Sequence, residues 1–369
     1  MLETLLERIE PEFAEILARA RDGKELTVEM SERLLKAEGP ELLALVLTAD
    51  EMRKRKVGEI VTYVINRNIN FTNICIGTCR FCAFRRRRGG SDAYLLTPDE
   101  ISAKVREAIR FGATEVCIQG GLHPDFRLAN YVEILEAVRA VSKDIHIHAF
   151  SPAELNHAAE RGGLSIEEVI KTLRDAGLNS VPGTAAEILV DRVRNIICPD
   201  KIDSNSWVEI IKTCHRLGLP STSTMLYGHV ESAREIAEHL AVLREVQRET
   251  GGFTEFVPLA FLHQNTQLQR MGVRSSRRGA VDLRLHATAR LMLSGYIDNI
   301  QASWVKLGPR LAQLILSAGA NDFSGTLIEE NISRAAGGHG SRMLPAQLEQ
   351  MIVEAGRIPR QRTTTYELL

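Results

Sequence analysis

The sequence predicts an α/β fold of the TIM type: a parallel (β/α)8 barrel with a helical cap ahead of it and a helical extension behind. Three observations predict it. Short β-rich runs alternate with amphipathic helical stretches from Val61 onward, the pattern of repeated βα units on a parallel sheet. Eight such runs can be counted, the number that closes this kind of barrel. At 369 residues the chain exceeds the roughly 250 of a barrel alone, which leaves room for additions at both ends.

The first addition, residues 1–57, has apolar positions such as Leu5, Ile9, Phe13 and Leu17 at helical intervals, and predicts a cap of helices. The barrel is expected over 58–335. Its candidate strands are Thr62–Asn66, Glu115–Gln119, Ile145–Ala149, Ser180–Pro182, Ser221–Leu226, Glu255–Pro258, Asn299–Ser303 and Asp322–Gly325. Helix starts between them are marked by a capping residue followed at the third helical position by glutamate: Thr97 with Glu100, Ser151 with Glu154, Ser165 with Glu168. The extension over 336–369 holds one more helical pattern and then the basic stretch Arg357-Ile358-Pro359-Arg360-Gln361-Arg362, to which the sequence assigns no role. Gly337-Gly338-His339-Gly340 reads either as a mobile lid over the barrel mouth or as a flexible turn.

Composition excludes several classes. Lys+Arg 46 against Asp+Glu 47 argues against a general nucleic-acid binder or a protein of anionic membrane surfaces. No window approaches the roughly 20 uninterrupted apolar residues of a membrane span, and Met1–Glu10 is acidic where a secretory leader is basic and then apolar, so a cytoplasmic location is expected. Of the six cysteines, Cys75, Cys79 and Cys82 are clustered, while Cys117, Cys198 and Cys214 are scattered and read as packing. Clustered thiols in a reducing compartment point to metal or redox chemistry rather than disulfides.

Asn73-Ile74-Cys75-Ile76-Gly77-Thr78-Cys79-Arg80-Phe81-Cys82 follows a candidate strand and spaces its thiols C-x3-C-x2-C. Three thiolates on one loop can hold three irons of a [4Fe-4S] cubane, and with no fourth cysteine nearby the last iron stays open to an exchangeable ligand. S-adenosyl-L-methionine can chelate that iron through its amino and carboxylate groups. A structural zinc loop is the bland alternative, but zinc wants four ligands and no second Cys pair exists. An electron-transfer protein and a metal-free barrel enzyme are the other classes; anaerobic reconstitution and turnover separate them.

At this loop, with an aromatic just before the third cysteine, the sequence resembles the radical S-adenosylmethionine superfamily. The resemblance implies that Cys75, Cys79 and Cys82 hold the cluster. It also implies that Phe81 lies near adenine, that Gly120 and Gly121 receive the methionine amino group, and that Ser151 and Glu187 contact methionine or ribose. For the glycines a tight βα turn, and for Glu187 a helix-start carboxylate, are the ordinary readings. Longer segments, NRNINFTNICIGTCRFCAF at 66–84, VCIQGGLHP at 116–124, SVPGTAAEIL at 180–189, IQASWVKLG at 300–308 and NDFSGTLIEENISRAAG at 321–337, are similar to the tyrosine-using subunit of FO synthase. That likeness covers nearly everything after about Gly58. It implies a transferase acting on L-tyrosine and 5-amino-6-(D-ribitylamino)uracil in deazaflavin (FO) coenzyme biosynthesis. Hydrogen is taken from tyrosine, its Cα–Cβ bond breaks, and the aryl-methylene fragment joins carbon 5 of the uracil. A reduced flavodoxin or ferredoxin would supply the electron, and a ring-closing FO synthase subunit would follow. The two radical enzymes of futalosine-dependent menaquinone synthesis, aminofutalosine synthase and the dehypoxanthine futalosine cyclase, share the cysteine loop. PGTAAEIL, CIQGGLHP and SWVKLG favour the tyrosine enzyme over them.

Four further residues are candidates for substrate contact because they sit on or beyond expected strands: His123, His148, His229 and Trp304, with Lys306 beside the last. Each has an ordinary reading as loop or core. His146 and His148 share one strand face, with no third ligand at metal spacing. Arg85–Arg88 is either a solvated surface or a landing site for an acidic electron donor.

Overall fold

The computed structural model describes residues 2–276, 279–340 and 342–369. Four helices, Leu2–Leu6, Pro11–Arg21, Val28–Leu34 and Gly39–Val57, precede the first strand, as the helical spacing predicts. Their apolar faces bury Phe13, Leu17, Leu45 and Ala49 against Ala287 and Leu291 of the helix Ala280–Leu293. Each large side chain so buried contributes about 1.5–3 kcal/mol. No described helix is long and apolar enough to cross a membrane.

The strands are β1 (Ile60–Val64), β2 (Asn66–Ile69), β3 (Glu115–Ile118), β4 (His146–Ala149), β5 (Ser221–Tyr227), β6 (Phe253–Ala260), β7 (Asp322–Gly325) and β8 (Ile358–Gln361). They pair in parallel as β7–β1–β8, β2–β3–β4 and β5–β6. Single parallel bridges run from His148 to Ser180, from Val181 to Ser221, from Phe256 to Ile300 and from Gln301 to Asp322. The expected strands Ser180–Pro182 and Asn299–Ser303 are thus bridges rather than ladders, for local reasons. Pro182 has no N–H to give, and the Ile300 N–H is taken by the Asn321 side chain at 2.9 Å. All three capping boxes foreseen at helix starts are formed.

The expected first strand, Thr62–Asn66, is divided. β1 and β2 meet at Ile65, and the register against β7 shifts between Thr62 and Val64. On its other edge β1 takes β8, whereas β2 takes β3. β8 has no apolar alternation and contains Pro359, a pattern tolerated on an edge strand and unreadable from sequence.

Beyond β8 the tail turns inward. Arg362 is 2% exposed, with Nε 2.6 Å from Asp322 Oδ2 and Nη2 3.5 Å from Glu255 Oε2. Its guanidinium lies 4.1 Å from the centroid of the Tyr366 ring. Thr364 Oγ1 donates to Glu115 Oε2 at 2.7 Å and the Tyr366 hydroxyl to Glu255 Oε2 at 2.6 Å. Burial pushes the Glu255 carboxyl up to about 7, and Arg362 opposes that rise. Arg357 binds outward instead, to Asp50 at 2.8 Å and Glu59 at 3.0 Å. The basic stretch therefore clasps the tail to the helical cap at one end and to the interior at the other. Replacing Arg362 with leucine strips the cation from two buried carboxylates, which costs about 3–5 kcal/mol when one partner of a buried pair is removed. Denaturant unfolding should show that loss, with a smaller one for Arg357→Leu.

Candidate active site

The cysteine loop leaves the end of β2 and is stitched to the segment that follows it: Cys75 N donates to Arg86 O at 3.1 Å and Arg86 N to Asn73 O at 2.7 Å. Cys75, Cys79 and Cys82 line one cavity together with Phe81, Gly120, Gly121 and Ser151. Two backbone amides, those of Gly77 and Leu122, donate to Cys75 Sγ at 3.3 Å each. Such N–H donors stabilise a thiolate and tune a cluster bound to it. A Cβ on Gly77 would lie 3.4 Å from Cys75 Sγ and 4.0 Å from Cys79 Sγ, so the missing side chain keeps the space beside these sulfurs clear. Burial pushes the Cys79 thiol up to about 12 and raises Cys82 as well. Cluster assembly replaces those protons with iron. The donor set fits a [4Fe-4S] cubane with one open iron, because none of the other three cysteines lines this cavity: Cys117 lines a second one, and Cys198 and Cys214 are buried in the apolar core.

The glycine pair is a close approach as well as a turn. A Cβ on Gly121 would fall 2.3 Å from Ile74 O and 2.8 Å from Cys75 Cβ, and one on Gly120 2.6 Å from the Phe71 ring. Gly121 N donates to Thr72 O at 2.9 Å, tying the end of β3 to the cysteine loop. Ser151 caps the helix Pro152–Gly162. Its partner Glu154, 2% exposed, accepts from Ser151 N and Oγ at 2.7 Å and from Gly120 N at 3.1 Å. One carboxylate thus holds both loops, and burial pushes it up to about 7. Glu154 is legible in the sequence only as a cap; its inward position is tertiary. Glu187, at φ +48°, bonds Lys201 Nζ at 2.6 Å. That ammonium lines the thiol cavity and lies 5.3 Å from the centroid of the Phe81 ring. Lys201 sits in a loop without periodicity or motif, so no sequence signal marks it.

A second cavity lies among the strands, lined by Asn66, Asn68 and Asn70 of the first stave, Glu115, His148 and Glu255, with Arg362 and Thr364 of the tail also on its wall. Ile332 lines both cavities. His148 bonds Ser180 Oγ at 2.7 Å, and burial pushes its imidazole down to about 4, so it is neutral near pH 7. Of the remaining candidates Lys306 lines this second cavity, whereas His123, His229 and Trp304 line neither. His123 packs on Phe126 at 5.0 Å and accepts from Asp125 N. His229 is held by Leu226 O at 2.9 Å and by Glu231, also at 2.9 Å. Trp304 is 1% exposed and donates to Gly325 O at 2.9 Å. His229 follows β5 and Trp304 follows the bridged segment at Ile300–Gln301, and both rings are held in packing.

The arginine run divides. Arg85 donates to Cys75 O at 3.2 Å; Arg86 pairs with Asp92 at 2.7 Å and also bonds the carbonyls of Ala83, Phe84 and Arg85. These two brace the loop. Arg88, with a side chain 69% exposed, meets Asp125 at 2.9 Å, and Arg87 is exposed on the same rim.

Comparison with known proteins agrees with this geometry. The family model described as the radical SAM superfamily matches residues 69–243, and that of the CofH/MqnC C-terminal region matches 250–369. The 5-amino-6-(D-ribitylamino)uracil–L-tyrosine 4-hydroxyphenyl transferase of Archaeoglobus fulgidus is 54% identical over 322 residues, 87% of this chain and 92% of that protein. That of Methanocaldococcus jannaschii is 52% identical over 87% of this chain and 91% of its own length. Among solved structures, HydG, a maturase of the [FeFe]-hydrogenase, superposes with a TM-score of 0.77 at 16% identity, covering 99% of this chain and 80% of its own. Methylornithine synthase (PylB) gives 0.68 at 20% identity, with 93% and 97% covered, and both likenesses are of fold alone. The chain belongs to the radical SAM superfamily and, within it, to the family of the 5-amino-6-(D-ribitylamino)uracil–L-tyrosine 4-hydroxyphenyl transferases.

Proposed function

We propose that this protein cleaves L-tyrosine and attaches its 4-hydroxybenzyl group to 5-amino-6-(D-ribitylamino)uracil, using a [4Fe-4S] cluster and S-adenosyl-L-methionine, in deazaflavin (FO) coenzyme biosynthesis. What carries the reading is a three-thiol cavity that shares Ile332 with a second chamber among the strands, whose wall bears amides, carboxylates and the imidazole of His148. Relatives 52–54% identical bear the name of that reaction. A futalosine-type reaction has only the shared C-terminal region in its favour.

When bound, the cluster and S-adenosyl-L-methionine supply the carbon radical that takes hydrogen from tyrosine. The chain's own residues hold, orient and exclude water. Cys75, Cys79 and Cys82 are the cluster ligands. Gly120, Gly121 and Ser151 contact the methionine end, with Glu154 fixing both loops; Phe81 and Glu187 contact adenine and ribose. His148 faces the substrates as a neutral imidazole, while His123, His229 and Trp304 support the loops around them. We read 1–57 as the cap, 58–335 as the barrel and 336–369 as the extension that floors it. Closure into eight staves is supported by the continuous series of parallel ladders and bridges from β2 round to β1. Six free thiols suit the reducing cytoplasm. A flavodoxin or ferredoxin docks at the Arg87–Arg88 rim, one hydrogen bond from Cys75 through Arg86 O, and gives its electron to the cluster; the adduct this enzyme forms passes to a ring-closing subunit.

Anaerobically reconstituted protein given dithionite, S-adenosyl-L-methionine, tyrosine and ribitylaminouracil should yield 5′-deoxyadenosine and the coupled adduct by mass spectrometry. Deoxyadenosine without adduct would sink the substrate assignment and leave the radical chemistry. Gly121→Ala drives a methyl group into the Ile74 carbonyl, and should lower bound iron and sulfide well below wild type. Full cluster content in that variant would contradict the clasp. Arg87→Glu with Arg88→Glu should raise KM for the acidic donor protein about tenfold at low salt, with the gap closing as ionic strength rises and dithionite-driven turnover unchanged.

A further inference from the structure

β2 and the residue beyond it place three asparagines on the chamber face, Asn66, Asn68 and Asn70, while the alternate positions turn away. Ile69 packs into the apolar core with Phe71, and Arg67 pairs with Glu107 and Glu329. The three amides differ in how far the protein satisfies them. Asn66 is used up: its Nδ2 donates to Glu115 Oε1 at 3.0 Å and its Oδ1 accepts from Leu327 N at 2.9 Å. Asn70 gives Nδ2 to Gln119 O at 3.3 Å, but its Oδ1 is buried with no partner. The Asn68 side chain, on a residue 8% exposed, bonds to no described group. Gln119 lines the same wall, with only a long 3.9 Å contact from Nε2 to Cys117 Sγ.

A buried polar atom left unpaired costs stability, so Asn70 Oδ1, with the uncommitted Asn68 amide on the same chamber wall, calls for a ligand that completes it. A primary amide offers an acceptor and a donor side by side. A pyrimidinedione ring presents the complement, a ring N–H beside a carbonyl. Tyrosine's ammonium and carboxylate call instead for full charges. We propose that Asn68 and Asn70 are specificity-determining residues that bind the edge of the pyrimidine ring of the acceptor substrate, with Gln119 on the same wall; this rests on the transferase reading above. Asn66 is the fixed end of the row, committed to Glu115 and the tail.

The test uses cluster-loaded Asn68→Ala and Asn70→Ala proteins. KM for ribitylaminouracil should rise about 10- to 100-fold, the worth of one or two lost hydrogen bonds to buried groups, with KM for tyrosine and S-adenosyl-L-methionine within about twofold of wild type. Calorimetric binding of ribitylaminouracil to the unreduced holoenzyme should weaken by the same factor, a readout that a purely structural role would not move. Asn68→Asp keeps the shape and removes the donor, and Asn70→Leu keeps the bulk and removes the free acceptor, so they report the same loss if an alanine variant fails to fold. An unchanged uracil affinity, or a rise in tyrosine KM instead, overturns the assignment. Wild-type protein that forms adduct while these variants behave normally refutes the asparagine row alone; wild-type protein that forms no adduct refutes the transferase reading and this inference with it.

Discussion

The site depends on one close approach of backbone to backbone, where Gly121 meets Ile74 and Cys75. The Gly121 amide reaches Thr72 O, the Leu122 amide reaches Cys75 Sγ, and the Ile76 amide returns to Leu122 O at 3.0 Å. Nothing larger than a hydrogen fits between them. These contacts make two loops from neighbouring strands a single unit. The thiols are then aimed by peptide hydrogen bonds rather than by rotamer preference alone. Beneath the unit, Phe71 fills the space Gly120 leaves, and stacks with Phe126 at 5.7 Å while meeting Tyr131 and Phe150 edge-on. Rigid apolar packing under a polar clasp is what a cluster site needs, since sub-ångström misplacement weakens a preorganised site.

Charge is managed differently in the two cavities. Around the thiols, the cations among the described wall residues are Arg85 and Lys201, the latter tied to Glu187. In the chamber, Glu115 and Glu255 are nearly buried and are answered by Arg362, Thr364 and Tyr366 of the tail. Buried carboxylates without such partners would shift toward their neutral acids or unfold the site. The tail is therefore part of the floor's electrostatics, which explains why a segment with no pattern of its own is packed so deeply.

Much of this was legible in the sequence where the chemistry is local. The cysteine spacing and the capping boxes of Thr97, Ser151 and Ser165 each depend on residues within a few positions of one another; the three thiols share one cavity and all three boxes are formed. What depends on distant partners was not. Lys201, Arg362 and the strand β8 acquire their roles from Glu187, Asp322 and β1, none of which the local sequence announces. For the histidine at 229 and the tryptophan at 304, sequence position does not set the direction of the ring. A polar or aromatic residue at a strand end is a fair candidate, but its rotamer is set by neighbours such as Leu226, Glu231 and Gly325, and those neighbours turned both side chains into packing.

The division of the first strand ties these features together. Had Ile60–Ile69 run straight, its whole edge would pair with β3 and leave no place for the tail. Stepping at Ile65 frees the lower edge of β1 for β8, and β8 delivers Arg362 and Thr364 beneath the chamber. The alternation runs unbroken through the step, from Val64 to Asn66, Asn68 and Asn70 on the chamber wall, and a shift of one residue would turn all three asparagines outward. The upper half of the stave then runs directly into the cysteine loop. One irregularity in one strand thus makes room for the floor, while the unbroken alternation through it supplies the polar wall and leads into the cysteine loop.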